Sequence, residues 1–153
     1  MTTIDEVARD TKPPLLLVLV LNPILRVVLR TPLGRAIRPF ALLEFTGRRS
    51  GRTYRVPVGW HSLGTGSAVF TPAPWRANFA GGIHVNVHHC GRRRSLTGTL
   101  EADLAHVATA MQSLADQRRG SLRSIGVTIP TGHRVTEADV RAVDRAVITF
   151  AEP

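Results

Sequence analysis

Between Phe40 and Glu101 the chain carries short apolar runs separated by glycine-bearing turns, and this pattern constrains its fold more than any other feature. Each run is too short for a stable helix, and one of them alternates strictly between apolar and polar residues, as a half-buried strand does. The predicted strands are Phe40–Phe45, Tyr54–Trp60, Ala68–Thr71, Ile83–His88 and Ser95–Glu101, with turns at Thr46–Arg52, Leu63–Gly66 and Cys90–Arg94. Successive hairpins favour an antiparallel barrel over a doubly wound parallel sheet.

Helices are predicted on both sides of these strands. Asn22-Pro23 and Thr31-Pro32 are N-cap and first-turn pairs that open two helices in the N-terminal third. The remaining helical segments are one turn at Trp75–Phe79, an amphipathic helix at Leu104–Arg118 and a short helix at Thr136–Arg145, followed by a last strand at Ala146–Phe150. The expected fold is α+β and mainly β, with residues 1–38 as a helical segment packing on a barrel formed by residues 39–153 of a single domain.

The composition is that of a folded protein with an unusual source of charge. Apolar residues make up 43% and charged residues 20% of the 153 residues, and the net charge is +9. Lys12 is the only lysine, so 19 of the 20 basic residues are arginine. Arginine matches phosphate and carboxylate oxygens bidentately, which suggests a phosphorylated cofactor, a nucleic acid or an acidic membrane as partner. A GC-rich genome would produce the same bias. The aromatic fraction of 5% and the lack of a nucleic-acid-binding motif argue against nucleic acid.

The N-terminal third bears on localisation. Leu15–Leu21 is far shorter than the roughly 20 apolar residues that span a bilayer, and neighbouring acids argue against a secretory leader. Cys90 is the only cysteine, which fits a cytoplasmic protein. The arginines of this region surround apolar residues, so peripheral contact with an anionic membrane stays open beside the alternative of a helix packed on the barrel: Arg26, Arg30, Arg35 and Arg38.

The most informative segment is Thr46–Pro57, with the sequence TGRRSGRTYRVP. Gly47 and Gly51 can adopt positive φ, which would let consecutive backbone N–H groups converge on an anion. Ser50 adds a hydroxyl, and four arginines of the segment add charge. The segment predicts an anion site, with a solvated basic turn as the alternative.

This segment resembles the phosphate loop of the deazaflavin (coenzyme F420)-dependent nitroreductase family, a branch of the pyridoxamine-phosphate-oxidase-like, FMN-binding split barrels. The family shows a Thr-Gly pair, basic residues, Ser or Thr, Gly and a further basic residue, then Pro and an apolar strand. Downstream, Trp75–Asn78 is similar to the family's W-x-x-N element, and Gly81–Val85 and Gly91-Arg92 resemble the following strand and turn. Upstream, Pro32–Arg35 fits as well.

The resemblance implies an antiparallel split β-barrel that transfers a hydride from reduced F420, or alternatively uses FMN, to a small organic acceptor. The implied cofactor-binding residues are Arg48, Arg49, Ser50, Gly51, Arg52, Arg55, Pro57, Thr71, Ala73, Trp75 and Asn78. Of these, the segment from Arg49 to Arg55 would hold the phosphate, and Thr71 to Asn78 would lie by the ring. No catalytic residue is assigned, because the cofactor carries the chemistry. The protein would be a monomer or a homodimer. A non-catalytic member of the same fold that binds a lipid or another ligand is the alternative function.

One stretch is rich in residues that can ligate metals: His84, His88, His89 and Cys90. Adjacent ligands at a turn point in different directions, so no metal site is predicted. Cys90 is expected to be a small turn residue rather than a nucleophile.

Overall fold

The computed structural model describes residues 9–10, 23–37, 40–64, 66–117, 122, 125, 127–130 and 132–153. The predictions for Leu15–Leu21, Asn22 and Arg38 concern residues outside these ranges. In chain order the elements are β1 (Arg9–Asp10), α1 (residues 23–28), a first 3₁₀ helix (Pro32–Ile37), β2 (Phe40–Thr46), β3 (Thr53–Gly59), β4 (His61–Leu63), β5 (Gly66–Thr71), a second 3₁₀ helix (Pro74–Phe79), β6 (Ile83–His89), β7 (Arg92–Glu101), α2 (Leu104–Gln117), β8 (Val127–Thr128), α3 (Glu137–Val143) and β9 (Ala146–Ala151).

Seven of these strands form one antiparallel sheet in the order β3-β2-β6-β7-β9-β5-β4. The two edge strands, β3 and β4, are consecutive in the chain and separated only by Trp60. The chain therefore passes from one edge of the sheet to the other at a single residue, which requires the sheet to curl. The result is the predicted α+β fold: a half-barrel of seven antiparallel strands with a few helices.

The concave side of the sheet encloses an apolar core. Residues 41, 43 and 45 of β2 are buried there, as strict alternation requires. Phe79, from the second 3₁₀ helix, is fully buried and closes this core together with Phe150 of β9. The cluster comprises Ala41, Leu43, Phe45, Val58, Trp60, Val69, Phe79, Val85, Val87, Leu96, Ile148 and Phe150.

A second core lies between the two C-terminal helices and strands β5 and β9. It contains Val107, Met111 and Leu114 of α2 and Val140 and Val143 of α3. Helix α3 begins at a capping box. The Thr136 hydroxyl accepts from the backbone N–H of Asp139, and the Asp139 carboxylate accepts from the N–H of Thr136.

The N-terminal helices lie at the end of the sheet where β2 begins. Leu29 is buried, and so is Leu42, although Leu42 points to the convex face of the sheet. The first 3₁₀ helix approaches the β6–β7 turn so closely that a Cβ on Gly91 would lie 3.4 Å from Cα of Pro32. No helix within the described part of the chain is long and apolar enough to cross a membrane.

Most predicted strands are confirmed to within one or two residues, but the predicted turn at Cys90–Arg94 is wrong. The turn consists of Cys90 and Gly91 alone, with φ values of 53° and 75°, which is the conformation of a two-residue hairpin turn. The three arginines that follow pair with β6 as part of β7. Two further differences are a short strand at His61–Leu63 and the end of α3 at Val143, where Asp144 adopts a left-handed conformation.

Candidate functional site

The turn between β2 and β3, residues 47–52, is closed by its own hydrogen bonds. Gly47 N–H donates to the carbonyl of Arg52 at 2.8 Å, and Gly51 N–H donates to the carbonyl of Gly47 at 3.0 Å. The Arg52 N–H donates to the Ser50 hydroxyl at 3.2 Å. These glycine N–H groups are therefore not available to an anion, contrary to the expectation from the sequence.

The two glycines of this turn serve different purposes. Gly51 has a φ of +68°, as predicted. Gly47 does not have a positive φ; instead, a Cβ at this position would lie 2.5 Å from Cε2 of Tyr54 and 2.8 Å from Oγ of Ser50. Gly47 thus lets the turn pass directly over the Tyr54 ring, and its role is one of space.

The turn is fixed to the second 3₁₀ helix through Arg48. The Arg48 N–H donates to Oδ1 of Asn78 at 3.0 Å, and its guanidinium donates to the carbonyl of Ala80. Asn78 in turn donates from Nδ2 to the carbonyl of Trp75 at 2.9 Å. Three of the predicted cofactor-binding residues are therefore brought together by direct hydrogen bonds, and Arg48 acts in positioning the turn.

What remains available on the turn is a small set of donors. Arg49 and Arg52 are exposed, and within the described residues neither guanidinium has a hydrogen-bond or ion-pair partner. Likewise, the backbone N–H groups of Arg49 and Ser50 donate to no carbonyl in the described part of the chain. The turn thus presents two guanidinium groups and two adjacent N–H groups to solvent.

Aromatic rings lie directly beneath the turn. Tyr54 stacks on Phe45 with a centroid separation of 5.4 Å and an interplanar angle of 12°. Phe45 also contacts Trp75 at 5.9 Å, and Trp75 contacts Phe79 at 6.0 Å. The half-buried Trp75 ring thus packs at an angle against two aromatic rings of the core. It belongs to the same group of side chains as the docked turn.

Two other predicted residues point away from this group. Arg55 and Pro57 alternate with the inward-facing Tyr54, Val56 and Val58 of β3, so they lie on the convex face. Arg55 Nε donates to Oε2 of Glu44 at 2.9 Å, and this hydrogen bond lowers the pKa of the Glu44 carboxyl despite its partial burial. The Arg55 charge is thus already partly neutralised.

Thr71 and Ala73 lead into the second 3₁₀ helix from its other side. Thr71 is buried, and its hydroxyl accepts from the Ala73 N–H at 3.0 Å. Arg76 secures this segment, since its guanidinium donates to the carbonyl of Thr71 and to both the carbonyl and the carboxylate of Asp144. These residues position Trp75 rather than the turn.

A groove of ≈ 310 Å³ begins beside the turn on the convex face. Its residues were not predicted from the sequence to form one site. Thr46 and Thr53, which flank the turn, line its near side. The other lining residues are Glu44, Phe45, Ile83, His84 and Asn86. The signal was available in the strand alternation, which places Glu44 and Thr46 of β2 on the same face as His84 and Asn86 of β6.

The metal-capable residues do not form one cluster among the described residues, although Sγ of Cys90 lies 3.5 Å from Nε2 of His89. His84 hydrogen-bonds to Ser95, His89 packs its ring against Trp60 at 5.5 Å, and Cys90 occupies the turn. Burial lowers the pKa of His88, whose Nε2 is enclosed on the convex face. In the ranges that the structure describes, no three His, Cys, Asp or Glu side chains are gathered as metal ligands.

Comparisons with known proteins leave the family of the chain open. No family profile matches the sequence, and no curated protein does. Among solved structures, the chain is similar to the FAD and heme binding protein from Mycobacterium smegmatis, with 15% identity and a TM-score of 0.42. The similarity covers 97% of this chain and 69% of that one. A likeness this weak carries no argument about function.

Proposed function

We propose that the protein binds a phosphorylated flavin-type cofactor at the 47–52 turn, with coenzyme F420 as the first candidate and FMN as the alternative. The observation that carries this proposal is the state of the turn: it is docked on the second 3₁₀ helix by Arg48 and Asn78, while Arg49 and Arg52 stay exposed and unpaired within the described residues. A basic turn that merely carried solvated charge would not need these hydrogen bonds to the second 3₁₀ helix.

The unpaired donors suit a phosphate group. Arg49 and Arg52 can each donate two parallel hydrogen bonds to phosphate oxygens, and the free N–H groups of Arg49 and Ser50 lie on the same turn. Because Gly47 and Gly51 close the turn internally, the two backbone N–H donors are already fixed in place before a ligand arrives. Pre-ordering reduces the entropy lost on binding.

The ring of the cofactor would lie beside Trp75. This side chain is half-buried and packs against Phe45 and Phe79, so part of it stays accessible to a ligand. Bound there, reduced F420 or reduced FMN would supply a hydride to a small organic acceptor. The contribution of the protein is to hold the phosphate, orient the ring and exclude water from one ring face.

Ligand titration of the full chain tests the proposal. Binding of F420, and separately of FMN, is followed by ligand fluorescence for the wild type and for Arg49→Ala/Arg52→Ala. Because both arginines are exposed, we take the loss of each as costing about 1.5 kcal/mol, so Kd is expected to rise about a hundredfold in the double variant.

The matched control is Arg134→Ala/Arg141→Ala, which removes the same charge from exposed positions at and before α3. Its Kd should stay within about twofold of the wild-type value, because neither arginine contacts the turn or Trp75 among the described residues and exposed charges are screened by salt. If the folded wild type binds neither cofactor, the proposal fails, and the alternative of a non-catalytic ligand-binding protein with this fold takes its place.

A further inference from the structure

We infer that the end of the half-barrel opposite the 47–52 turn binds the surface of an anionic lipid bilayer. This surface, here called the N-terminal surface, consists of α1, the first 3₁₀ helix and Phe40, together with Arg92 and Arg93 at the start of β7. This inference does not depend on the proposed cofactor.

Large apolar side chains are exposed on the N-terminal surface. Four large apolar side chains are exposed among the described residues, and all four lie on this surface: Ile24 at 53%, Val27 at 66%, Leu33 at 69% and Phe40 at 40%. Ile24 and Val27 are three residues apart, so they share one face of α1. An exposed apolar group confined to one region marks an interaction site rather than scattered surface residues.

The sequence of this region contains basic residues but no acidic ones. No Asp or Glu occurs between Asp10 and Glu44, whereas Lys12 and four arginines do. Of these arginines, Arg26, Arg30 and Arg35 are exposed in the structure. These three arginines have no ion-pair partner among the described residues, so this part of the surface is apolar and cationic, which is the combination found on helices that lie in the headgroup region of anionic membranes.

Strand register joins the separate elements into one end of the molecule. Ala41 pairs with His89, so Phe40 and the β6–β7 turn lie at the same end of the sheet. A Cβ on Gly91 would lie 3.2 Å from Cγ of Arg35, which places the first 3₁₀ helix against that turn. Arg92 and Arg93 are exposed immediately after it and add to the positive charge.

The geometry leaves the candidate cofactor site in water when this end is bound. Strand β2 runs from Phe40 at the N-terminal surface to Thr46, which precedes the 47–52 turn. Seven residues of strand separate the two ends by about 20 Å. A protein held by its N-terminal surface would thus keep Arg49 and Arg52 accessible.

A bilayer fits this surface better than a nucleic acid does. Phosphates of a nucleic acid would satisfy the arginines, but Val27 and Leu33 would stay in contact with water. In a bilayer, the apolar side chains enter the boundary between headgroups and acyl chains while the arginines contact lipid phosphates.

The test uses co-sedimentation of the full chain with phosphatidylcholine vesicles that contain or lack phosphatidylglycerol. The wild type is expected to bind the anionic vesicles, to bind less as salt is raised, and not to bind phosphatidylcholine alone. Val27→Glu/Leu33→Glu should weaken binding at least about tenfold, since it removes two apolar anchors and adds repulsion.

The matched control is Ala138→Glu/Ala142→Glu, which adds the same charge at exposed positions of α3. It should bind within about twofold of the wild type if the N-terminal surface is responsible. Circular dichroism and thermal melting of both variants establish that they are folded.

Failure of the wild type to bind anionic vesicles overturns the inference, as does an equal loss in both variants. Binding of a DNA duplex that is unaffected by Val27→Glu/Leu33→Glu, with no vesicle binding, would assign the surface to nucleic acid instead.

Discussion

Single side-chain clearances decide how the concave core closes. Gly98 of β7 lies under two aromatic rings, and a Cβ there would approach Cδ1 of Phe79 to 2.7 Å and Cε1 of Phe150 to 3.2 Å. Phe79 is fully buried and contacts Phe45 and Trp75 as well. A shift of Phe79 would therefore be passed on to the ring that lies beside the candidate site.

Gly98→Ala is expected to lower the free energy of unfolding by about 1–3 kcal/mol, because the added methyl overpacks a closed aromatic core. The control is Gly66→Ala on β5, where the nearest atom to a new Cβ would be 3.9 Å away. Urea denaturation followed by fluorescence measures both. A Gly98→Ala variant as stable as Gly66→Ala would contradict the description of this core.

The sequence could predict some residue roles but not others. The Trp-x-x-Asn spacing singled out Trp75 and Asn78, yet their link to Arg48 depends on contact between residues 30 positions apart. The assignment of Arg55 to the phosphate ignored strand alternation, which places this side chain on the convex face beside Glu44. Whether each residue binds a cofactor stays a prediction.

At the level of elements, the hairpins were the most predictable part of the molecule. Apolar alternation and a glycine-bearing turn identify β2, β3 and β6, because both signals are local. The predicted turn is wrong at Arg92–Arg94 because a run of charged residues does not by itself indicate a turn. Cys90 and Gly91 alone supply the two positive φ angles that the hairpin requires. Exposed strand positions tolerate arginine.

The contact between the 47–52 turn and the second 3₁₀ helix is the element-level feature most relevant to function. Asn78→Ala removes the acceptor of the Arg48 N–H and the donor to the Trp75 carbonyl. We expect this variant to lose about 1–2 kcal/mol of stability and to exchange the Arg48 amide hydrogen faster in a hydrogen-exchange experiment.

Gln117→Ala provides the control, since the Gln117 amide also donates to a carbonyl on another element, that of Ser62. It should leave exchange at Arg48 unchanged. If the Arg48 amide exchanges equally fast in the wild type and in Asn78→Ala, the turn is not held by this contact.

For the whole molecule, closure of the sheet could not be deduced from local patterns. Strand β9 ends the chain but lies between β7 and β5, so the centre of the sheet depends on pairings between segments up to about 80 residues apart in sequence. The passage from β3 to β4 at Trp60 makes the two sheet edges consecutive. Only the fold class, not this strand order, follows from a succession of hairpins.

The two proposed sites lie at opposite ends of the folded molecule. One end carries the docked basic turn with Arg49 and Arg52, and the other carries exposed apolar residues with unneutralised arginines. Both ends are basic, and composition alone could not tell these two surfaces apart.

If the 47–52 turn recognises a phosphate, it should distinguish ligands that differ only in that group. Kd is measured for FMN against riboflavin, which lacks only the phosphate, on the wild type and on Arg49→Ala/Arg52→Ala. We expect the wild type to bind a phosphorylated ligand at least about tenfold more tightly than its phosphate-free counterpart, and the double variant to lose this preference. Equal binding of both ligands by the wild type, or a preference that persists in the variant, would contradict the claim.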